Sequence, residues 1–338
     1  MRVMVTGGTG FLGYHTVQAL LAAGHEVSLL VRSVDKMLRL FGDDRIGQVT
    51  RGDLNDKNRV LRALDGCDAV VHSAAMVSTS TNDADTIFKT NLEGTKLVIG
   101  EALDKQVEQV IHVSSVTALF DPEASRLDEN SPPGPGISRS GYGRSKIACE
   151  IFARELQKQG EPVHITYPAS IIGPDDPGLT EPHRGLIALL QGLLFVMPSG
   201  NQYVDVRDIA RVHCLLLEQQ PPAGRFPLGG TYLPWRDHAR FLSKLTGRRL
   251  LSIPMPAALS LLTGRFTDRL ARYLPFELPV TEEGMRYATG WVPVDNRHVE
   301  EKLDFSFRPL DETMRDTITW LNRAGHLPDR LAGKLAAA

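Results

Sequence analysis

The sequence predicts an α/β protein built on a doubly wound parallel sheet of about seven strands, with a smaller, mostly helical C-terminal lobe. Through the first half of the chain, short runs rich in valine and isoleucine alternate with amphipathic helical segments. The runs lack a strict polar–apolar alternation, which is typical of strands buried on both faces of a parallel sheet. Proline and glycine become frequent after about residue 168, where this order of elements ends.

The expected elements follow one another regularly. Strands are predicted at Val3–Thr6, Glu26–Val31, Gln48–Arg51, Ala69–His72, Gln109–Ser114 and Val163–Tyr167. Helices are predicted between them, at Phe11–Ala23, Asp35–Phe41, Lys57–Leu64, Thr86–Leu103 and Tyr142–Gln159. We expect residues 1–168 to form the sheet domain, joined by about 203–230 and part of 295–325, with an interleaved lobe over 169–202 and 230–295.

Composition and charge exclude several classes of function. With 338 residues and a net charge of −2, the chain has no strong overall field for nucleic acid or an anionic membrane. It contains no run of 18 apolar residues, so we expect no membrane span, and the early first strand leaves no room for a signal peptide. The three cysteines are far apart, as in a reduced cytoplasmic protein, and no histidine pair has metal-ligand spacing, so we expect no metal.

The opening stretch VMVTGGTGFLG predicts a site for a pyrophosphate. It joins a strand to a helix through glycines spaced three apart, so the backbone can approach phosphates at a helix N-terminus. The spacing differs from the G-x-G-x-x-G pattern of many Rossmann folds, and a P-loop is excluded because Tyr14 and His15 stand where Lys and Ser/Thr are required. We expect a Rossmann-type dinucleotide site that includes Gly7, Thr9, Gly10, Phe11, Leu12 and Gly13.

The end of the second predicted strand indicates which dinucleotide binds. NAD sites normally carry an acid here for the ribose hydroxyls, whereas an arginine accommodates the 2′-phosphate of NADP. The sequence has Arg32 and Ser33, with Lys36 one turn later, and these three residues predict a phosphate clamp that prefers NADP(H). NAD(H) remains possible, because Arg32 can equally be a solvated loop cation and Asp35 is close by.

A second constellation predicts proton and hydride chemistry. Tyr142 and Lys146 are spaced i and i+4 on a predicted helix, so they share one face. Ser115 follows the fifth strand, whose carboxyl end points into the ligand crevice of such a sheet. We expect Ser115 to hold a carbonyl oxygen and Tyr142 to exchange its proton. Lys146 would lower the pKa of the phenol and reach the nicotinamide ribose.

These motifs together resemble the extended short-chain dehydrogenase/reductases. The matching stretches are TGGTGFLG, GDL, VVHSAA, TNLEGT, HVSS, YGRSK, YPASIIGP and YVDVRDIA, in family order over roughly residues 1–215. The resemblance implies that Asp53 and Leu54 flank the adenine and that Ala74 and Ala75 line the adenosine path. It also implies that Pro168 and Ile171 lie beside the nicotinamide. Asn91 would organise the active-site helix or, alternatively, make a structural bond to the backbone.

Departures from family patterns indicate the branch. The dehydratases resembled here carry Thr-Asp-Glu where this chain has Ser115-Val116-Thr117, and the asparagine that epimerases often carry after the sixth strand is missing. The resemblance is therefore closest to the dihydroflavonol-4-reductase-like and 3β-hydroxysteroid-dehydrogenase-like branch. It implies an NADPH-dependent reductase of a ketone or aldehyde with an apolar body. The alternatives are an NAD-dependent sugar-nucleotide epimerase and a non-catalytic dinucleotide sensor.

The last third of the chain is expected to select a small-molecule carbonyl or alcohol substrate. Candidate pocket residues are Met76, Thr117, His183, Tyr203 and residues of the segment 255–275, although His183 also fits an exposed loop. The stretch LLSIPMPAALSLLTGRF is expected to form a lid or core helix. Ser114 is a weaker candidate than Ser115, because neighbouring strand residues face opposite sides. The resemblance also implies a homodimer formed by the helices predicted at Thr86–Leu103 and Tyr142–Gln159.

Overall fold

The computed structural model describes residues 1–77, 83–138, 140–271 and 280–336. The strands of the first half are β1 (Arg2–Thr6), β2 (Glu26–Val31), β3 (Gln48–Arg51), β4 (Ala69–His72), β5 (Gln109–Val113) and β6 (Val163–Pro168). The helices of this half are α1 (Phe11–Ala22), α2 (Val34–Phe41), α3 (Lys57–Ala63), α4 (Ala84–Asp104) and α5 (Gly141–Lys158). All lie within a few residues of the predicted positions.

The second half mixes short strands with helices. Its strands are β7 (Ser170–Ile172), β8 (Leu193–Val196), β9 (Gly200–Asp205), β10 (Arg225–Leu228), β11 (Thr231–Pro234) and β12 (Leu251–Pro254). Its helices are α6 (Glu181–Leu190), α7 (Val206–Gln219), α8 (Trp235–Thr246), α9 (Ala257–Ala271), α10 (Glu282–Gly290), α11 (Arg297–Leu303), α12 (Leu310–Arg323) and α13 (Asp329–Ala332). Short 3₁₀ turns lie at Val116–Ala118 and Gly333–Leu335.

The central sheet confirms the predicted fold class. Its seven strands lie in the order β10-β6-β5-β4-β1-β2-β3, and every neighbouring pair is parallel. The strand order runs outward from β1 in both directions, so a crevice opens at the carboxyl ends of β1 and β4. Strand β10 joins the sheet beside β6, as the sequence predicts for the stretch GRFPLGG.

Two apolar clusters hold the molecule together. The larger one packs helices on both faces of the central sheet, and its fully buried members include Val5, Val70, Ile111 and Ile165. The smaller one joins α6, α8 and α12 beside the second set of strands. None of the helices in the described part of the chain is both long and apolar enough to cross a bilayer.

Five strands of the second half are absent from the sequence prediction. Strands β11, β9 and β7 form a three-stranded sheet, while β12 and β8 pair in parallel as a two-stranded ribbon. Each has only three to six residues, and several are bounded by glycine or proline. These strands lack the regular alternation with amphipathic helices that marks the strands of the first half, so tertiary pairing decides their structure.

The glycine turn after β1 requires glycine for steric reasons. Gly7 has φ +73°, and a Cβ there would lie 2.8 Å from the backbone nitrogen of Ala74. A Cβ on Gly13, in the first turn of α1, would lie only 2.1 Å from the carbonyl oxygen of Gly7. Helix α1 therefore packs against the turn more closely than any side chain allows.

Replacing Gly13 tests this close packing. We expect Gly13→Ala to lower the free energy of unfolding by about 2 kcal/mol or more, because the added methyl group overlaps the Gly7 carbonyl. Gly100→Ala is a matched control inside α4, where a Cβ meets nothing within 4 Å. That change should raise stability by about 0.5–1 kcal/mol through helix propensity. Urea unfolding measures both, and equal effects of the two substitutions would contradict the packing argument.

Candidate active site

Three side chains predicted from sequence meet at the carboxyl edge of the sheet. Ser115 directly follows β5, and its Oγ accepts a hydrogen bond of 3.2 Å from the backbone N–H of Thr117. Tyr142, in the first turn of α5, lines the same cavity, and Ser115 is the neighbouring group that lowers the pKa of its phenol. One turn further along α5, Lys146 Nζ lies 5.7 Å from the centre of the Tyr142 ring and donates to the Val113 carbonyl at 2.8 Å.

Burial shifts the pKa values of the tyrosine and the lysine in opposite directions. It raises the pKa of Tyr142 to about 12, with the Ser115 hydrogen bond acting against the shift. It lowers the pKa of Lys146 to about 8. The net shift of the Tyr142 pKa is therefore upward, because burial outweighs whatever lowering the neighbouring ammonium supplies. Near neutral pH the phenol is protonated and the lysine is mostly charged.

A cavity of about 390 Å³ opens in front of Ser115 and Tyr142. Its floor comes from the end of β5 and the start of α5, and its walls come from α6, α8 and α10 with the loops beside them. The apolar part of the wall comprises Val77, Phe120, Leu127, Leu186, Leu189, Trp235, Trp291 and Val292. The polar groups comprise Thr117, Ser170, Glu181, Asn201, Tyr203, Glu283 and Tyr287.

Two of the predicted pocket residues line this cavity and two do not. Thr117 and Tyr203 belong to its wall, and the Tyr203 hydroxyl lies 3.1 Å from Nε2 of His238. The prediction for Met76 is wrong, because its neighbour Val77 takes that place in the wall. No residue of 255–271 lines the cavity, and 272–275 lie outside the described residues.

His183 is neither an exposed loop residue nor part of the cavity wall. It is fully buried on α6, where Nε2 donates to the Gly173 carbonyl at 2.7 Å and Nδ1 lies 3.0 Å from Asp176. Its ring packs edge-on against Phe11 and Trp320. The proline-rich sequence around His183 gives no clear signal for the start of α6. Because His183 lies in this helix, its side chain points inward. His183 therefore supports the lobe and does not face a ligand.

Asn91 links the end of β4 to the active-site helix. Its Oδ1 accepts from the Met76 N–H at 2.8 Å, and its Nδ2 donates to the Met76 carbonyl and to Ser145 Oγ, each at 3.0 Å. Asn91 therefore combines the two alternatives expected from the sequence, since it bonds the backbone and also contacts the active-site helix α5. Ser114 points away from the cavity and donates to buried Glu150 at 3.1 Å, so Ser115 is the serine that faces a ligand.

The residues predicted to hold a dinucleotide share one edge of the sheet. Helix α1 begins without a side-chain cap and without an acid in its first turn, so its leading N–H groups are available to phosphate. The glycine turn closes against Ala74, and Ala75 continues the same loop after β4. Exposed Asp53 and half-buried Leu54 follow β3. Pro168 ends β6 and Ile171 lies in β7. This set fits an extended dinucleotide.

The end of β2 carries the predicted phosphate clamp. Arg32 is exposed and makes no hydrogen bond or ion pair to another described residue. Ser33 caps α2, and its Oγ accepts from the Lys36 N–H at 3.2 Å. The Ser33 hydroxyl hydrogen remains available to a ligand. Arg32 and the Ser33 hydroxyl therefore both lie at the exposed end of β2.

Sequence reasoning missed Glu283, which ties α10 to the start of α5. Its carboxylate accepts hydrogen bonds from Ser138 Oγ at 2.7 Å and from both the N–H and the Oγ of Ser140 at 2.9 Å. Ser140 in turn caps α5 by accepting from the Gly143 N–H at 3.0 Å. No sequence signal connects residues 140 and 283, because only the folded chain brings them together.

The fold and the residues at the sheet edge are those of an extended short-chain dehydrogenase/reductase. A model of the NAD dependent epimerase/dehydratase family matches residues 3–229 of the chain. The protein therefore belongs to this family, and it is an oxidoreductase-type enzyme acting on CH–OH or carbonyl groups.

Similar proteins cover three quarters or more of the chain. It is 28% identical over 328 residues to sterol demethylase protein B of Methylococcus capsulatus, covering 96% of this chain and 99% of that protein. It is 31% identical over 266 residues to the 4-hydroxy-2-methyl-3-oxo-4-farnesyl-3,4-dihydroquinoline-1-oxide ketoreductase of Stigmatella aurantiaca, covering 76% and 78%. The crystal structure of gox2253 superposes with a TM-score of 0.80 at 26% identity, covering 96% and 99%.

The carboxylate of Glu283 should stabilise the first turn of α5. We expect Glu283→Gln to speed amide hydrogen exchange at residues 140–146 about tenfold, because a hydrogen bond to a charged group contributes about 1.5–3 kcal/mol. Glu282→Gln makes the same charge change on α10, at a carboxylate that pairs with Arg265 and Arg286. Hydrogen-exchange mass spectrometry distinguishes them. Equal exchange at 140–146 in both variants would show that Glu283 does not hold α5.

Proposed function

We propose that the protein is an NADPH-dependent reductase of a ketone or aldehyde carried by an apolar small molecule. The observation that carries the proposal is the character of the cavity in front of Tyr142. Its wall is mostly apolar, and among its described lining residues there is no lysine, arginine or histidine. Its two charged residues, Glu181 and Glu283, are acids. A neutral, apolar substrate matches this wall.

The proposed reaction uses Ser115 and Tyr142 at the substrate carbonyl. Both hydroxyls would hydrogen-bond the carbonyl oxygen, which becomes negative as the carbon is reduced. The reduced nicotinamide, when bound, supplies hydride to that carbon. Tyr142 would then deliver its proton to the oxygen, giving the alcohol and a transient phenolate. The raised pKa of Tyr142, about 12, keeps this proton in place until substrate charge develops.

Lys146 would support the transfer from behind the tyrosine. Its ammonium is buried and held by the Val113 carbonyl, so its position is defined before any ligand arrives. A cation there would stabilise the phenolate left on Tyr142 after proton transfer. It would also be within reach of the nicotinamide ribose. The predicted cofactor residues, including Pro168 and Ile171 at the inner end of the site, would orient the nicotinamide ring.

The main alternative is a sugar-nucleotide epimerase with tightly held NAD. Epimerases belong to the family whose model matches this chain. A nucleoside diphosphate, however, carries charges that cationic side chains normally bind. The two acids of the described cavity wall, Glu181 and Glu283, would repel it. The names of the two relatives include a sterol and a farnesyl-bearing ring, which also favours an apolar substrate here.

A non-catalytic sensor is a weaker alternative, because Ser115, Tyr142 and Lys146 converge on an open cavity. A homodimer formed through α4 and α5 stays a prediction. So do the division into a sheet domain and an interleaved lobe, and a cytoplasmic location.

Removing the phenol hydroxyl tests the proposed acid. We expect Tyr142→Phe to lower turnover of an apolar ketone with NADPH by about 1,000-fold, within the range for loss of a general acid. NADPH affinity should stay within about threefold of the parent protein. Tyr232→Phe is the matched control, since this tyrosine on β11 lies outside the cavity wall. Turnover that survives in Tyr142→Phe would remove the assigned role.

Cofactor preference should depend on Arg32. We expect the parent protein to bind NADPH at least tenfold more tightly than NADH, and Arg32→Ala to remove most of that difference by weakening NADPH alone. Arg39→Ala, an exposed arginine in the last turn of α2, serves as control and should leave both dissociation constants unchanged. Isothermal titration measures all values. A parent protein without preference for NADPH would contradict the clamp.

A further inference from the structure

One face of the second half exposes large apolar side chains where a folded protein normally buries them. Strands β8 and β12 pair in parallel, with Leu251 opposite Leu193 and Ile253 opposite Phe195. These four side chains share one face of the ribbon and are 46–55% exposed, whereas Leu194, on the opposite face, is buried. The ribbon therefore presents an apolar outer face to solvent.

Helix α9 is amphipathic in the opposite sense to an ordinary surface helix, because its apolar side faces solvent and its polar side packs on the protein. The side packed on the protein carries small or polar residues: Ser260 is fully buried, a Cβ on Gly264 would lie 2.7 Å from Glu282 Cα, and Thr267 Oγ1 donates to the Val280 carbonyl at 2.7 Å. The side facing solvent carries Leu259, Leu262, Phe266 and Leu270, which are 40–67% exposed. Of the two alternatives expected from the sequence, a lid or a core helix, the exposure of these side chains excludes a core helix for α9.

The ribbon and α9 are adjacent in the chain, and we call their exposed apolar side chains together the apolar patch. Strand β12 runs directly into α9, and the Met255 N–H donates to the Val196 carbonyl at 2.8 Å, fixing the start of the helix to the ribbon. The patch comprises Leu193, Phe195, Leu251, Ile253, Leu259, Leu262, Phe266 and Leu270. An exposed apolar surface of this extent marks an interaction site.

The segments that carry the apolar patch contain more cations than acids. Residues 184–196 and 240–271 contain Arg184, Arg240, Lys244, Arg248, Arg249, Arg265 and Arg269 against a single acid, Asp268. Two of these cations pair with acids outside the two segments, Arg240 with Asp237 and Arg265 with Glu282, and Arg248 is partly buried and donates to the Leu190 and Leu331 carbonyls. The remaining cations still outnumber Asp268, so this face is locally basic although the whole chain has a net charge of −2. Arg249 and Arg269 are exposed, and Arg265 is 55% exposed while pairing with Glu282.

We propose that the apolar patch docks on the surface of an anionic lipid membrane. Leucine, isoleucine and phenylalanine side chains would enter the boundary between headgroups and acyl chains, and the neighbouring arginines would contact lipid phosphates. A second copy of this chain fits poorly, because pairing two such faces would bring two sets of arginines together. The combination of an exposed apolar face and a cationic surround matches an anionic bilayer.

The docking face adjoins the cavity through two elements. Helix α6, which contributes Leu186 and Leu189 to the cavity wall, leads within a few residues into β8. Helix α10, which contributes Tyr287, packs against α9 through Gly264. Docking would thus place the cavity next to a reservoir of apolar molecules. This link to substrate rests on the proposed function, whereas docking itself does not.

Vesicle flotation with the full-length protein tests the proposal. We expect binding to vesicles of phosphatidylcholine with 30% phosphatidylglycerol to be at least tenfold stronger than to phosphatidylcholine alone, and to weaken as salt rises. The double variant Leu262→Gln with Phe266→Gln should bind at least tenfold more weakly. Leu38→Gln, at an exposed leucine on α2, is the apolar control and should bind as the parent does.

A second pair of variants tests the charges. Arg249→Gln with Arg269→Gln should weaken binding to the anionic vesicles by about fivefold per arginine. Lys158→Gln with Arg211→Gln removes two exposed cations elsewhere and should change little. Circular dichroism would verify folding, which outward-facing substitutions should leave intact.

Two results would overturn the proposal. One is that the parent protein does not float with anionic vesicles. The other is that the Leu262/Phe266 double variant floats as well as the parent. Sedimentation velocity tests whether the apolar patch binds a second copy of the chain. Self-association that the same double variant abolishes would assign the patch to a dimer interface instead. Since flotation needs neither cofactor nor substrate, a failure here is distinct from a failure of the proposed reductase activity.

Discussion

The hydrogen bond from Lys146 to the Val113 carbonyl holds the active-site helix against the end of the fifth strand, and the arrangement of the cavity depends on it. It places an ammonium group inside the protein, where burial lowers its pKa to about 8 without neutralising it at pH 7. Two further contacts fix the same helix. Asn91 bonds Ser145 from one side, and Glu283 bonds its cap, Ser140, from the other. Three separate parts of the chain therefore position Tyr142 beside Ser115.

This arrangement keeps the phenol of Tyr142 protonated at the position where the proposed reductase would need a proton donor. The same burial that lowers the pKa of the lysine raises that of the phenol, so an uncharged acid and a cation lie side by side. In the proposed reduction the tyrosine would give up its proton, and the lysine would stabilise the charge that remains. The apolar wall strengthens both effects, because it keeps water away from the reacting groups.

The sequence predicts the central sheet well because its short strands, most of them rich in valine and isoleucine, alternate regularly with amphipathic helical segments. Ser115, Tyr142 and Lys146 are predictable for a related reason: parallel strands bring their carboxyl ends to one edge, so position along the chain indicates position in space. The second half lacks such rules. His183 turns inward on a helix that starts within a proline-rich stretch, and Glu283 reaches a cap more than 140 residues away. Those contacts depend on tertiary packing that no local pattern encodes.

The central claim is net hydride transfer from a transiently bound NADPH to an apolar carbonyl compound. The most direct measurement supplies NADPH deuterated at the transferring position of the nicotinamide, together with a set of apolar ketones, and follows the label by mass spectrometry. Net hydride transfer would place one deuterium on the carbinol carbon of the alcohol product, with the nucleotide consumed in equal amount. The contradicting result is NAD retained in stoichiometric amount by the purified protein, with the stereochemistry of a sugar nucleotide inverted and no net consumption of cofactor.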